Sequence, residues 1–225
     1  GIATRLRVRR VGGAVLVGFD GRSASEHLAR LAASVLRERG IDVVLDVGRS
    51  PTPALAGAVA KSRAAAALVL TASHNPAEYH GLKLFGNRGE AVGGDEARRI
   101  EEATARALAK TPRKAPESGR LRRTDFTARY VKRLARAVHI DPGRGGKPRV
   151  FYDALHGAGA GALDVALRER GVRITGLRLH SDSAFGGDVP DPSPGRLREL
   201  SRRVRASGSS TSASNLRGGS ARSHA

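Results

Sequence analysis

Short apolar runs alternate with one-sided helical stripes through the first part of the chain. Ala14 to Val17 is an apolar run ended by Gly18 and reads as a buried strand. Ser23 or Ser25 can cap the helix that follows. Leu28, Leu31, Ala32, Val35 and Leu36 recur at i, i+3, i+4, i+7 and i+8, which places them on one helical face, and Gly40 stops the helix. Asp42 to Val47 gives a second strand. Pro51 and Pro53 bracket a turn that opens a helix running to Ala60, and Ala66 to Leu70 gives a third strand. This β-α-β-α-β order predicts a mostly parallel sheet with right-handed crossovers. Ligands of such sheets sit beyond the carboxyl ends of the strands, where the loop at 71–76 falls. Leu82 to Phe85 reads as a further strand and Asp95 to Ala109 as a helix.

A polar stretch at 110–120, with Pro112 and Pro116, reads as a linker. A second unit follows: a helix from Asp125 to Val138, a strand from Arg149 to Tyr152, a Gly-rich turn from Gly157 to Gly161, a helix from Ala162 to Arg170, a strand from Val172 to Leu179 and a helix from Pro194 to Ala206. Another strand is expected next. Instead the chain runs SGSSTSASNLRGGSARSHA from Ser207, a polar, low-complexity stretch expected to be disordered. The predicted fold class is α/β: two consecutive three-layer α/β domains with mixed, mainly parallel sheets, the second incomplete. The expected domains are 1–112 and 113–206, followed by an aberrant tail at 207–225.

Composition changes this picture little. A net charge of +19 over 225 residues suggests an anionic partner. Only six of the 40 basic residues are Lys, however, and Arg is scattered along every segment, the bias of a GC-rich genome. Aromatic residues are 4% of the chain, too few for base-stacking platforms. Salt-sensitive sticking to polyanions is expected, and specific nucleic-acid binding is not. The absence of Cys excludes a disulfide scaffold and a thiolate metal site. No run approaches the roughly 18 apolar residues of a membrane span, and Gly1 to Arg10 lacks a secretory apolar stretch. A cytoplasmic protein without a membrane partner is expected.

The sharpest chemical signal is Thr71-Ala72-Ser73-His74-Asn75-Pro76, followed by Tyr79-His80-Gly81-Leu82-Lys83. A Ser in a tight loop at a strand's carboxyl end is both exposed and held. His74 and Lys83 could supply positive charge or move protons nearby. A phosphate on Ser73 would carry close to two negative charges at neutral pH and needs such partners; a divalent metal would help further.

TASHNP resembles the signature of the α-D-phosphohexomutases, the family of phosphoglucomutase and phosphomannomutase, whose Ser carries the transferred phosphoryl group. The family usually continues with Tyr-Asn-Gly-x-Lys, so His80 stands here in place of Asn, and Lys83 falls on the Lys proposed for general acid–base work. Val17-Gly18-Phe19-Asp20-Gly21-Arg22 resembles the family's Val-Gly-x-Asp-x-Arg stretch near the cleft; Asp20 and Arg22 could instead form a structural ion pair. Pro51-Thr52-Pro53 is similar to an architectural PTP turn. Asp153-Ala154-Leu155-His156-Gly157-Ala158-Gly159 resembles a D-x-L-H-G-x-G segment in which the His reads as structural. Phe185-Gly186-Gly187 with Pro190-Asp191-Pro192 resembles an F-G-G…P-x-P stretch. The resemblance covers residues 14–207, the N-terminal half of such an enzyme.

The resemblance implies an intramolecular phosphotransferase that interconverts hexose 1-phosphate and hexose 6-phosphate through a phosphoserine and a hexose bisphosphate. Ser73, His74 and Lys83 would be catalytic, with Asp20, Arg22 and Asn75 in the substrate and phosphate vicinity. The implied cofactors are Mg²⁺, reached by Ser73 through its phosphate, and a hexose 1,6-bisphosphate activator. Residues 1–13 do not show the family's Gly-Thr-x-Gly-x-Arg-Gly start. The Asp-Gly-Asp-x-Asp-Arg metal loop expected after Ala206 is absent. These departures lead to the expectation of a fragment, with the tail arising by frameshift, little or no mutase turnover as written, and self-association through the open surface of the second domain. The alternatives are a phosphoglucosamine mutase fragment or a non-catalytic binding module that keeps the fold.

Overall fold

The computed structural model describes residues 2–4, 12–109, 118–137 and 148–207. The described residues fall into two compact units. The first draws on Gly1–Asp20, Ala24–Ala72 and His80–Thr127, and the second on Gly21–Ser23, Ser73–Tyr79 and Ala128–Ala225. Two short excursions of the N-terminal part, at 21–23 and 73–79, therefore group with the second unit.

The first unit is built on a five-stranded sheet. Its strands are β1 (Val15–Phe19), β2 (Val43–Asp46), β3 (Ala66–Leu70), β4 (Leu82–Phe85) and β5 (Leu121–Thr124), in the order β4-β3-β1-β2-β5. β1 pairs in parallel with β2 and β3, β2 with β5 likewise, and only β4 runs antiparallel, against β3. The mainly parallel, mixed sheet expected from the β-α-β-α-β order is present. β1 and β3 are buried along their whole length, as near-continuous apolar runs in a covered parallel sheet should be.

The helices are α1 (Ser25–Arg37), α2 (Thr52–Ala60) and α3 (Gly94–Leu108). Pro51 is the N-cap of α2 and Pro53 lies in its first turn, where the missing N–H costs nothing. Gly18 lets α2 come close: a Cβ there would sit 2.8 Å from Leu55 Cδ2.

The face of α1 differs from the expected one. Ser25, Ala29, Ala33 and Leu36 are buried, whereas Leu31 and Val35 are about half exposed. Leu28, Ala32 and Leu36 of the expected face do pack on the core, but small residues at 25, 29 and 33 set the helix close to the sheet and turn the stripe away from Leu31 and Val35. Ser25 is not a cap either. It lies inside the helix, and its hydroxyl donates to Asp20 Oδ1 at 2.7 Å.

A strand escaped the sequence reading. Leu-Arg-Arg-Thr of β5 has no apolar run, yet it extends the first sheet beside β2. The second unit was expected from 113. The first sheet instead continues through Thr124, and the Phe126 N–H reaches back to Asp46 Oδ1 at 3.4 Å. Residues 110–117 of the expected linker lie outside the described residues.

The second unit has α4 (Phe126–Ala137, whose first two residues belong to the first unit), β6 (Arg149–Asp153), α5 (Leu163–Glu169), β7 (Arg173–Leu177) and α6 (Arg198–Ala206). β6 and β7 form a parallel pair. Val131 and Ala135 of α4 pack with Ala162 and Ala166, while Leu197 and Leu200 pack with Leu177 and Phe151. The tail at 207–225 lies outside the described residues except for Ser207, whose hydroxyl closes α6 by donating to the Val204 carbonyl at 2.6 Å.

Candidate functional site

The chain leaves the first sheet after Leu70 and re-enters it at Leu82. Thr71 N–H donates to the Gly81 carbonyl at 2.9 Å and closes the base of the intervening loop. Gly81 is needed there for space, because a Cβ would lie 2.9 Å from the Thr71 carbonyl oxygen. Two residues on, Lys83 stands on β4 opposite Val69 and is exposed to solvent.

Ser73, His74 and Asn75 are all exposed. Ser73 has φ 60°, in the left-handed region that residues with a Cβ avoid. Such a conformation costs about 1–2 kcal/mol and persists only where the surroundings impose it.

The imposing group is Arg22. It is 3% exposed, and its guanidinium donates to four backbone carbonyls of the loop: Ser73 at 3.0 Å, Asn75 at 2.8 Å, Tyr79 at 3.0 Å, and Pro76. A planar fork of five N–H donors can gather several acceptors at once, which an ammonium cannot do in the same geometry. The other face of this cation is covered by Phe185, whose ring centroid lies 5.0 Å from the guanidinium carbon. Arg22, the 73–79 loop and Phe185 all belong to the second unit.

Within the first unit, Asp20 is half-buried at the end of β1. Its N–H donates to the Leu70 carbonyl at 3.0 Å and its carboxylate accepts from Ser25. Ser25 Oγ is also 3.5 Å from Nδ1 of His80, the residue that replaces the family's Asn. His80 therefore faces a hydroxyl already oriented by a carboxylate.

The second unit's motif residues serve the backbone. Asp153 is bound by Arg178 through Nε at 2.8 Å and through Nη2, and Arg178 also donates to the Arg196 carbonyl at 3.0 Å. His156 is buried, with Nδ1 3.1 Å from the His180 carbonyl and its ring edge-on to His180 at 4.3 Å. Phe185, Gly186 and Gly187 have φ of 55°, 72° and 77°. Asp182 holds that turn, accepting from Ala184 N–H at 2.9 Å and Gly186 N–H at 2.8 Å. The same two N–H groups hold its carboxyl below the usual carboxylate range.

Sequence reasoning singled out Ser73, His74, Asn75, Lys83, Asp20 and Arg22. The structure brings Arg22 onto the Ser73 loop within the second unit, and it places Asp20 and Lys83 at strand ends of the first sheet. The sequence did not single out Phe185 as a partner of Arg22, nor Asp182. The two consecutive glycines after Phe185 were the available signal, since they mark a left-handed turn.

Mg²⁺ takes hard oxygen ligands, mostly carboxylates. Among the described residues no group of three His, Cys, Asp or Glu gathers to hold a metal. These residues do not make up the site that the resemblance implies, so the chemistry below assigns no step to a metal. Also among the described residues, no helix is long and apolar enough to cross a membrane.

Comparison with known proteins agrees with this arrangement. Residues 1–111 match the phosphoglucomutase/phosphomannomutase alpha/beta/alpha domain I, and residues 128–215 match domain II of the same family. A protein of Methanobrevibacter smithii named "probable phosphoglucosamine mutase" is 32% identical over 87% of this chain and 43% of its own length. The phosphoglucomutase/phosphomannomutase of Thermococcus kodakarensis is 33% identical over 86% of this chain and 42% of its own. The crystal structure of a phosphoglucomutase/phosphomannomutase family protein from Burkholderia thailandensis superposes with a TM-score of 0.76 at 27% identity, over 91% of this chain and 44% of that one. The chain thus spans less than half the length of the curated relatives it matches. With both domain matches in chain order and the strained serine where the motif requires it, the chain belongs to the phosphoglucomutase/phosphomannomutase family, of which it carries domains I and II.

Proposed function

We propose that this chain carries the phosphoserine half-reaction of a phosphohexomutase, with Ser73 accepting and returning the phosphoryl group. The observation that carries this reading is an exposed serine in left-handed backbone, held in a loop gathered by a buried guanidinium. Strain of this kind clusters where a side chain has to be presented in one orientation.

In the proposed step a hexose 1,6-bisphosphate is the donor. Ser73 Oγ attacks one phosphorus, the bond from that phosphorus to the sugar oxygen breaks, and the Oγ–P bond forms. The hydroxyl proton passes through a protein group to the leaving sugar oxygen. The products are phosphoserine and a hexose monophosphate. Reversal toward the other hydroxyl moves the group between O1 and O6. Phosphoryl transfer of this type depends on positioning and charge neutralisation more than on covalent chemistry. Lys83, with His74, is the proposed proton carrier. Arg22 positions the loop through its carbonyls, and the exposed amide of Asn75 is part of the polar surroundings we assign to the phosphate. A cytoplasmic setting is part of this reading.

A second reading, phosphoglucosamine mutase, is favoured by the name of the Methanobrevibacter relative and uses the same serine. Incubation with glucose 1,6-bisphosphate and with glucosamine 1,6-bisphosphate, side by side, tests both. The wild-type chain should gain one phosphoryl group by intact mass, at a rate that saturates with one donor, and Ser73→Ala should gain none. Failure of the wild type with both donors, or equal labelling of Ser73→Ala, contradicts the proposal.

A further inference from the structure

We propose that Phe185, presented by the Phe185-Gly186-Gly187 turn, is a positioning residue for the Ser73 loop, acting through Arg22. The inference rests on the reading of Ser73 given above for its functional meaning, but its structural content stands on separate observations.

The four carbonyls that accept from Arg22 lie on one residue's fork. An arginine side chain has many rotamers, and fixing one costs entropy. Something has to hold the plane of the guanidinium so that both terminal nitrogens meet their pairs of acceptors. Phe185 does this. Its ring lies 5.0 Å from the guanidinium carbon, and the two side chains are 6% and 3% exposed, so the contact is desolvated. Cation–π attraction is strongest under those conditions. The ring also keeps water from competing for the N–H donors.

The turn that presents the ring is over-determined. Three successive left-handed residues run from Phe185 to Gly187. Left-handed backbone at Phe185 is costly for a bulky side chain and requires support. Asp182 supplies it by accepting the Ala184 and Gly186 N–H groups. His156 lies against the turn and leaves room only for glycine at 186, where a Cβ would sit 3.1 Å from His156 Nε2. The His156 ring is itself fixed by the His180 carbonyl and ring. A chain of contacts therefore runs from His156 through Gly186 and Phe185 to Arg22 and ends on the carbonyl of strained Ser73. It gives the F-G-G stretch and the His of the L-H-G stretch one shared purpose, and the second unit a direct part in shaping the serine loop.

The test uses the full chain. Hydrogen–deuterium exchange of the peptide covering 73–79 reads the loop without any ligand; the Tyr79 N–H, bonded to the Pro76 carbonyl at 3.1 Å, is its internal reporter. Phe185→Leu keeps the bulk and removes the π face. Phe185→Tyr keeps the face. In folded protein, judged by circular dichroism, Phe185→Leu should speed exchange in 73–79 about tenfold and Phe185→Tyr should stay near wild type. Because the effect runs through the guanidinium, Phe185→Leu should add little in an Arg22→Lys background. If Phe185→Leu disturbs the fold, the Arg22→Lys and Phe185→Tyr pair carries the test: loop exchange unchanged by Arg22→Lys, or raised by Phe185→Tyr as much as by Arg22→Lys, overturns the proposal. Equal exchange in wild type and folded Phe185→Leu also overturns it, as does full additivity with Arg22→Lys. The rate of Ser73 phosphorylation by glucose 1,6-bisphosphate is read in parallel. A loop loosened in Phe185→Leu, beside a wild-type chain that takes no phosphate, would sustain the positioning role and sink the phosphoserine reading, so the two fail separately.

Discussion

Ser73 shows how one residue can trade stability for presentation. Its φ of 60° is tolerated because Arg22 draws in the carbonyls around it. Glycine adopts that conformation without the Cβ penalty. Ser73→Gly should therefore raise the stability of the unit that holds the loop by about 1 kcal/mol, while abolishing phosphoryl acceptance; thermal melts beside the labelling assay would show it, and a destabilised Ser73→Gly would mean the strain is absent. Asp46 makes the opposite case, a buried polar residue with no part in the proposed chemistry. It is 4% exposed, and Oδ2 has no hydrogen-bond partner. Burial pushes its carboxyl above the ordinary value, against the bonds from Ser50 and Phe126. The folded state thus binds a proton more tightly than the unfolded chain, so stability falls as pH rises from the unfolded value of 3.8 through the raised folded value. Asp46→Asn should flatten that dependence: its midpoint relative to wild type should be more favourable at pH 7 than at pH 4. An identical pH dependence in the two proteins would remove Asp46 as the cause.

Elements were legible from sequence in proportion to how much apolar surface they bury. β1 and β3 are buried throughout; the run of β3 was read to the residue, whereas that of β1 was ended at Val17 by Gly18, two residues short of Phe19. β5 was not read, because Leu121 to Thr124 forms an exposed edge whose pairing with β2 is set by backbone and by the Arg120–Asp42 contact, at 2.8 Å, rather than by an apolar pattern. The face of α1 was read only in part for a related reason: Leu28, Ala32 and Leu36 do pack on the core, but close packing selected Ala29 and Ala33 in place of Leu31 and Val35. The loop motif named the site residues, but their mutual geometry lay in backbone acceptors that no side-chain pattern encodes. In the second unit, strand ends are tied by a charge pair. The Asp153 side chain at the end of β6 is 1% exposed and is held by Arg178, just past β7, which in turn reaches the Arg196 carbonyl ahead of α6. Removing one partner of a buried pair costs more than the pair contributes. Arg178 keeps 29% of its side-chain surface exposed, which softens the loss. Asp153→Ala should cost about 2–3 kcal/mol of the stability of the second unit, measured by denaturant unfolding; a loss within about 0.5 kcal/mol, as for ordinary surface changes, would show the pair to be incidental.

At the scale of the whole molecule, the chain is a family member that spans less than half the length of its relatives, with the serine motif intact. The first sheet brings the chain to the serine loop at the carboxyl end of β3, and the second unit's Arg22 and Phe185 fix the loop's shape. High positive charge, +19, favours anionic donors without selecting among them, so binding of sugar phosphates should weaken with salt whereas the site of labelling should not change. The most direct measurement is tandem mass spectrometry of the full chain after incubation with hexose 1,6-bisphosphate, mapping every phosphorylated residue. A single phosphate on Ser73 is expected. No phosphate, or phosphate spread over the serines of the chain with no preference for Ser73, would contradict it.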